Sequence, residues 1–175
     1  MGGCSPNAPR RLPGWRVTSA IPRAENPVRA LGAVRRLGCM TVEIARINPD
    51  QLHPTPGYHH ITVVAAGRTA YLAGQCPLDR SGALVGPGDL DAQIDQVAAN
   101  ALAALAAVGA RPDQVVRSVI YVVSDEVTTL GAAWARLTGS VIGPAFSTAS
   151  TLLGVARLGY FGQLVEVDLT AALPG

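Results

Sequence analysis

From residue 42 onward the apolar positions change period several times, and each change marks an element. Val42–Ile47 (V-E-I-A-R-I) alternates apolar and polar residues, the period of a strand with one buried face. Ile61–Ala65 and Thr69–Ala73 flank Ala66-Gly67-Arg68, which predicts a hairpin turn with Gly67 at positive φ. Leu90, Ile94, Val97, Ala101, Leu105 and Val108 then recur at threes and fours, an amphipathic helical stripe. Asp89 is its candidate N-cap, and Gly109 with the turn Arg111-Pro112-Asp113 stops it. Val115–Val123 is rich in β-branched residues and reads as a central strand. A second helix is predicted from Glu126 to about Val141, with an apolar face through Leu130, Ala133, Trp134 and Leu137 before Gly143 and Pro144 break it. Ser150–Leu158 and Leu164–Thr170 close the pattern as strands. In the last, Val165, Val167 and Leu169 point one way while Leu164, Glu166 and Asp168 point the other.

The order β-β-β-α-β-α-β-β predicts an α+β domain, with two helices against one face of a mixed sheet. The uncovered face would carry too many apolar residues to stand bare in water. We therefore expect an oligomer closed by packing sheets together.

Composition divides the chain in two. Residues 1–39 hold seven arginines against the single acid Glu25, a charge of +6, and mix proline and glycine without sustained periodicity. Residues 40–175 hold seven arginines against eleven acids, a charge of −4. The basic stretch is compatible with an organellar transit peptide, a nucleic-acid-binding arm, or a disordered or mis-assigned extension upstream of a start at Met40. We expect the last of these, with residues 40–175 forming the folded domain. The absence of lysine, with abundant alanine and glycine, suggests a GC-rich bacterial genome. Three cysteines (Cys4, Cys39, Cys76) without metal-type spacing or a secretory signal point to a reducing, cytoplasmic setting. The most apolar run, Ala98–Ala110, is too short to span a bilayer.

Several short motifs share one order and spacing. They are Tyr71-Leu72-Ala73-Gly74-Gln75, Gln93…Asn100, Ala107-Val108-Gly109-Ala110, Val115–Val122, Val155-Ala156-Arg157-Leu158 and Leu164-Val165-Glu166-Val167-Asp168. Together, from about Gly57 to Leu173, they resemble the Rid family of reactive intermediate deaminases, the YjgF-type proteins. The resemblance implies a chorismate-mutase-like fold, a homotrimer, and small-molecule clefts between subunits. It implies no cofactor. The best-known relatives hydrolyse imines and enamines released by pyridoxal-phosphate dehydratases, giving ammonia and a 2-keto acid. In them an arginine grips the substrate carboxylate and a glutamate positions the attacking water.

Carried over residue by residue, the resemblance makes Glu166 the candidate catalytic carboxylate, able to act as a general base or to orient water. Ser150 falls where the family has its arginine. A guanidinium holds a carboxylate through two charged hydrogen bonds, whereas a serine offers one neutral donor. Removing a buried charged partner costs about 2–5 kcal/mol, or roughly 30-fold to several thousandfold in affinity. Arg157 lies seven residues on, and odd spacing along a strand places it on the opposite face. His60 falls about where the family has a pocket tyrosine, with Tyr58 two residues before it. Gly74 offers a backbone amide at its turn, although Ala73 replaces the family serine there. These residues, with Ser150 and Leu152, form the candidate substrate-binding set. Cys76 has no cationic neighbour in sequence and reads as a small packing residue. His53, His59, His60 and Cys76 show no metal-ligand pattern, so no metal is expected. The loop Gly82…Gly86-Pro87-Gly88 lacks the G-K-[ST] ending and opens onto Asp89 and Asp91, so it is no phosphate loop.

Three functions follow. The first is a hydrolase of imine- or enamine-type metabolites other than anionic 2-aminoacrylate. The second is a non-catalytic, metabolite-sensing module on the same fold. The third, a ribonuclease, is disfavoured because a domain charge of −4 opposes phosphate and no aromatic-basic motif appears.

Overall fold

The structure is a computed structural model and describes residues 42–174. The expectations for residues 1–39 lie outside the described residues. The element order is β1 (Ile44–Ile47), β2 (Ile61–Val64), β3 (Arg68–Tyr71), α1 (Leu90–Ala107), β4 (Val115–Val123), α2 (Val127–Thr138), β5 (Ala149–Val155) and β6 (Val165–Leu173). This is the predicted succession. Short 3₁₀ turns, Pro112–Gln114 and Gly143–Phe146, precede β4 and β5.

The pairing differs from expectation. Instead of one sheet there are two: a two-stranded ribbon, β1-β2, and a four-stranded sheet ordered β3-β6-β4-β5. The β2–β3 hairpin does not form. β2 pairs antiparallel with β1, and β3 pairs antiparallel with β6, Tyr71 opposite Thr170. Gly67 is correspondingly not among the glycines at positive φ. The reason is a better partner. β6 offers nine residues backed by the core, and Ala70 and Leu72 pack against that core. A local turn signal carries no information about so distant a partner.

The helices take the apolar side of the four-stranded sheet. Val165, Val167, Ile120 and Val122 are fully buried there with Ile94, Val97, Leu105 and Leu137. α1 starts as its sequence predicts, the Asp89 side chain accepting from the Ala92 amide at 3.0 Å. It ends where Gly109 takes φ +72°, which lets the Ala110 amide reach back to the Leu105 carbonyl. Val108, expected on the apolar stripe, is instead exposed just beyond the helix. α2 stops at Thr138, short of Val141, because Gly139 ends it and Gly143-Pro144 starts a separate turn. Arg136 of α2 reaches Asp95 and Asp91 of α1 at 2.6 and 3.2 Å, tying the two helices at the surface.

One buried polar residue joins two loops. Gln93 is fully buried on α1, donates to the carbonyls of Gly86 and Gly162, and accepts from the Leu164 amide at 2.7 Å. All three contacts are to backbone groups, which satisfy the polar atoms of the buried Gln93 side chain. The entry to β6 is thereby set against α1.

Candidate functional site

Alternation along β6 sends Glu166, Asp168 and Thr170 to the face away from the helices, each half-buried between fully or nearly buried neighbours. Beyond β3 the chain continues alongside β6. Leu72 donates to the Leu169 carbonyl, and Gln75 exchanges hydrogen bonds with Val167 at 2.9 and 3.2 Å. That course lays Gly74 directly over Glu166. A Cβ at residue 74 would fall 2.8 Å from the Glu166 carboxyl carbon and 2.9 Å from Asp168 Oδ1, so any larger residue must push those carboxylates aside. Two residues singled out in the sequence are thus in contact.

The two oxygens of Glu166 have different surroundings. Oε2 accepts from Gln163 Nε2 at 2.9 Å and lies 3.5 Å from the Cys76 thiol. Oε1 lies against Gly74 and has no protein donor among the described residues. Gln163 is 3% exposed and also bonds the Val165 carbonyl, so its amide is firmly held. Burial, and then the charge of Glu166, pushes the Cys76 thiol up to about 11. The thiol is therefore protonated at neutral pH and serves as a donor rather than a nucleophile. Asp168 accepts from the Tyr121 hydroxyl at 3.1 Å. Burial and that bond raise the Tyr121 phenol above its ordinary range. Ion pairs among the described residues join Arg111 to Asp113 and Arg136 to Asp91 and Asp95, and none reaches Glu166 or Asp168.

Ser150 sits on the other face. It is in register with Ser118 of β4, whereas Glu166 is in register with Tyr121, three residues farther along the same strand. Its hydroxyl donates to the Phe146 carbonyl at 3.0 Å. Ser118 Oγ, at 2.6 Å, is left to donate to it. The one proton of Ser150 is therefore committed within the fold.

Ser150, Leu152 and Tyr58 meet in a cavity of about 540 Å³, shared with Leu130, Gly131 and Trp134 of α2. His60 is not part of that lining. Its Nε2 lies 2.9 Å from the His53 carbonyl, and its ring stands edge-on to those of His53 and Tyr58. The neighbouring His59 instead reaches the start of β5, through ring and backbone contacts to the carbonyls of Ser147 and Thr148. Arg157 lies beyond the end of β5, so strand alternation does not govern it. It is exposed in the following loop.

Gln163 and Tyr121 were not legible as site residues. Gln163 stands at the entry to β6 in no motif, and Tyr121 looked like one more apolar strand position. The pairing of β4 with β6 places Tyr121 beside the acids, and the turn into β6 folds Gln163 back onto Glu166. Among the described residues no group of three His, Cys, Asp or Glu side chains is arranged to hold a metal. Among them, too, no helix is long and apolar enough to cross a membrane.

The comparisons agree with this fold. The sequence profile of the family described as Endoribonuclease L-PSP matches residues 49–173. A Yersinia pestis protein of unknown function from the conserved Rid family, YyfB, is 34% identical with a TM-score of 0.67, over 74% of this chain and 98% of its own. Two more distant structures support the fold alone. The Yersinia pestis Rid-family protein YyfA is 22% identical, TM-score 0.50, over 75% of this chain and all of its own. Yeast Mmf1 is 18% identical, TM-score 0.53, over 74% of this chain and 98% of its own. None of the curated proteins matches. With β6 carrying Glu166 beneath Gly74, the helices on one face, and this breadth of similarity, the chain belongs to the Rid family, also described as endoribonuclease L-PSP.

Proposed function

We propose that the chain works as a homotrimeric hydrolase of imines or enamines that lack the carboxylate of 2-aminoacrylate. The observation that carries this reading is the state of Glu166. One of its oxygens is anchored by Gln163 and Cys76, and the other, beside Gly74, has no protein donor among the described residues. A carboxylate fixed in that way can orient a water and take its proton as the oxygen attacks an imine carbon. The proton passes on to the substrate nitrogen. The C–N bond of the resulting carbinolamine then breaks, releasing ammonia or an amine and leaving a carbonyl compound.

The preference against anions rests on Ser150, which has neither charge nor a spare proton to offer a carboxylate. The trimer is part of the same proposal. Leu153 and Tyr71, 41% and 83% exposed, stand beside the acids on the open sheet face and are apolar surface that a second subunit would cover. Glu166 and Ser150 diverge within one protomer, so a cleft using both requires a neighbour. The family description names an endoribonuclease, but seven arginines against eleven acids over residues 40–175 oppose RNA binding.

The test uses the purified oligomer, its size measured by light scattering, and imines generated in situ from neutral and anionic amines. Neutral imines should be hydrolysed, and Glu166→Ala should lower that rate by roughly 100-fold or more. Equal inactivity of wild type and variant on every substrate would sink the hydrolase and leave a metabolite-binding module.

A further inference from the structure

The cavity between α2, the start of β5 and the Pro56–Tyr58 loop has a character that the hydrolase reading does not require. Its volume, about 540 Å³, lies within the roughly 300–1,000 Å³ usual for small-molecule sites. Among the described residues no charged side chain lines it. Its polar groups are largely committed inside the fold. Trp134 Nε1 donates to the Pro56 carbonyl at 3.3 Å, Tyr58 Oη lies 3.3 Å from His53 Nε2, and the Ser150 proton goes to Phe146. Thr151 borders it only from the far side of β5, since its register with Val119, itself opposite Asp168, turns its hydroxyl to the open face. Acidic Asp125 and Glu126 stand just ahead of α2, offsetting the attraction its N-terminus would exert on an anion.

Gly131 adds an independent observation. It lies inside α2, where glycine costs about 1 kcal/mol relative to alanine. A Cβ there would meet nothing within 4 Å, so neither close packing nor a positive φ calls for glycine. Instead the missing side chain enlarges the cavity, whose wall Gly131 forms. The helix gives up stability at the position where a larger residue would fill the space.

We infer that this cavity binds an uncharged aromatic or branched-alkyl group, held by shape and apolar contact. Tyr58 and Trp134, with ring centroids 6.3 Å apart and nearly perpendicular, offer such a group a face and an edge. That the bound group belongs to the substrate rests on the hydrolase reading. That the cavity binds it does not.

Trp134 reports on binding directly, since the chain's other tryptophan, Trp15, can be changed to Phe. The fluorescence of the Trp15→Phe oligomer is titrated with benzyl alcohol, benzoate and benzylamine, three rings of similar size and different charge. Benzyl alcohol should bind at least tenfold more tightly than benzoate or benzylamine. Gly131→Leu should weaken it at least tenfold while the thermal midpoint holds or rises. Gly131→Ala, a smaller change on the same wall, should do so partially and guards against a leucine that fails to fold. Equal binding of all three probes, no binding of any, or undiminished binding to a folded Gly131→Leu would each overturn the inference. Glu166→Ala should bind benzyl alcohol normally, so a protein that binds but never hydrolyses sinks only the hydrolase reading.

Discussion

The two faces of the four-stranded sheet are written by alternate residues of the same strands. On the covered face of β6, Val165, Val167 and Leu169 meet the helices and are at most 2% exposed. On the other, Glu166 and Asp168 are held by Gln163, Cys76 and Tyr121. The covered face is stabilised by removal of apolar surface from water, a non-directional effect that tolerates some repacking. The open face depends on hydrogen-bond geometry and on one close backbone approach. Among the described residues its acids have no ion-pair partner, and hydrogen bonds alone hold them in place. The difference teaches where damage should fall: changes beneath the helices should unfold the chain, and changes on the open face should spare the fold and alter the chemistry.

The largest stability effect is expected at Phe146, fully buried beside Trp134. Phe146→Ala should cost about 3–5 kcal/mol in denaturant unfolding, from lost apolar burial and the void left behind. A smaller cost is expected at Gly74. Gly74→Ala must push the Glu166 and Asp168 carboxylates aside, costing about 1–3 kcal/mol, with a loss of hydrolysis out of proportion to that cost. If Gly74→Ala destabilised as much as Phe146→Ala, the division between the faces would fail.

The next test is titrimetric. Cys76 keeps its proton in the native state to about pH 11, whereas an unperturbed thiol loses it near 9.0. Across that window the unfolded chain releases a proton that the folded chain retains. Stability should therefore fall between about pH 9 and 11, and Cys76→Ala should reduce the fall. At pH 8 the thiol should react with a disulfide reagent far more slowly than free cysteine. The smallest effect belongs to neither face. Arg136→Ala removes exposed ion pairs to Asp95 and Asp91 and should cost less than about 1 kcal/mol, vanishing in high salt.

Much of this was legible in the chain. The extent of α1 follows from a local cap, a local stop and a stripe of apolar residues, all decided within a few turns. Glu166 and Gly74 were marked by motifs, and the apolar alternation of β6 separated its two faces before any partner was known. The element order likewise came from periodicity, because burial of one face imposes its period on the sequence.

Strand partnership could not be read in the same way. Ala66-Gly67-Arg68 looked like a hairpin, yet β3 crosses to β6, a choice set by competition among distant strands. That pairing, in turn, puts Gly74 over Glu166. The pairing of β4 with β6 sets Tyr121 beside the two acids, and the pairing of β4 with β5 turns Ser150 toward Phe146 and away from Glu166. His60 spends its ring on its own loop for a similar reason: the fold around it, rather than its residue type, sets its partner. The residues by themselves determined which groups had the chemistry. Tertiary structure alone decided which of them meet, because contacts between distant segments depend on the free energy of the whole packed chain and not on any local stretch.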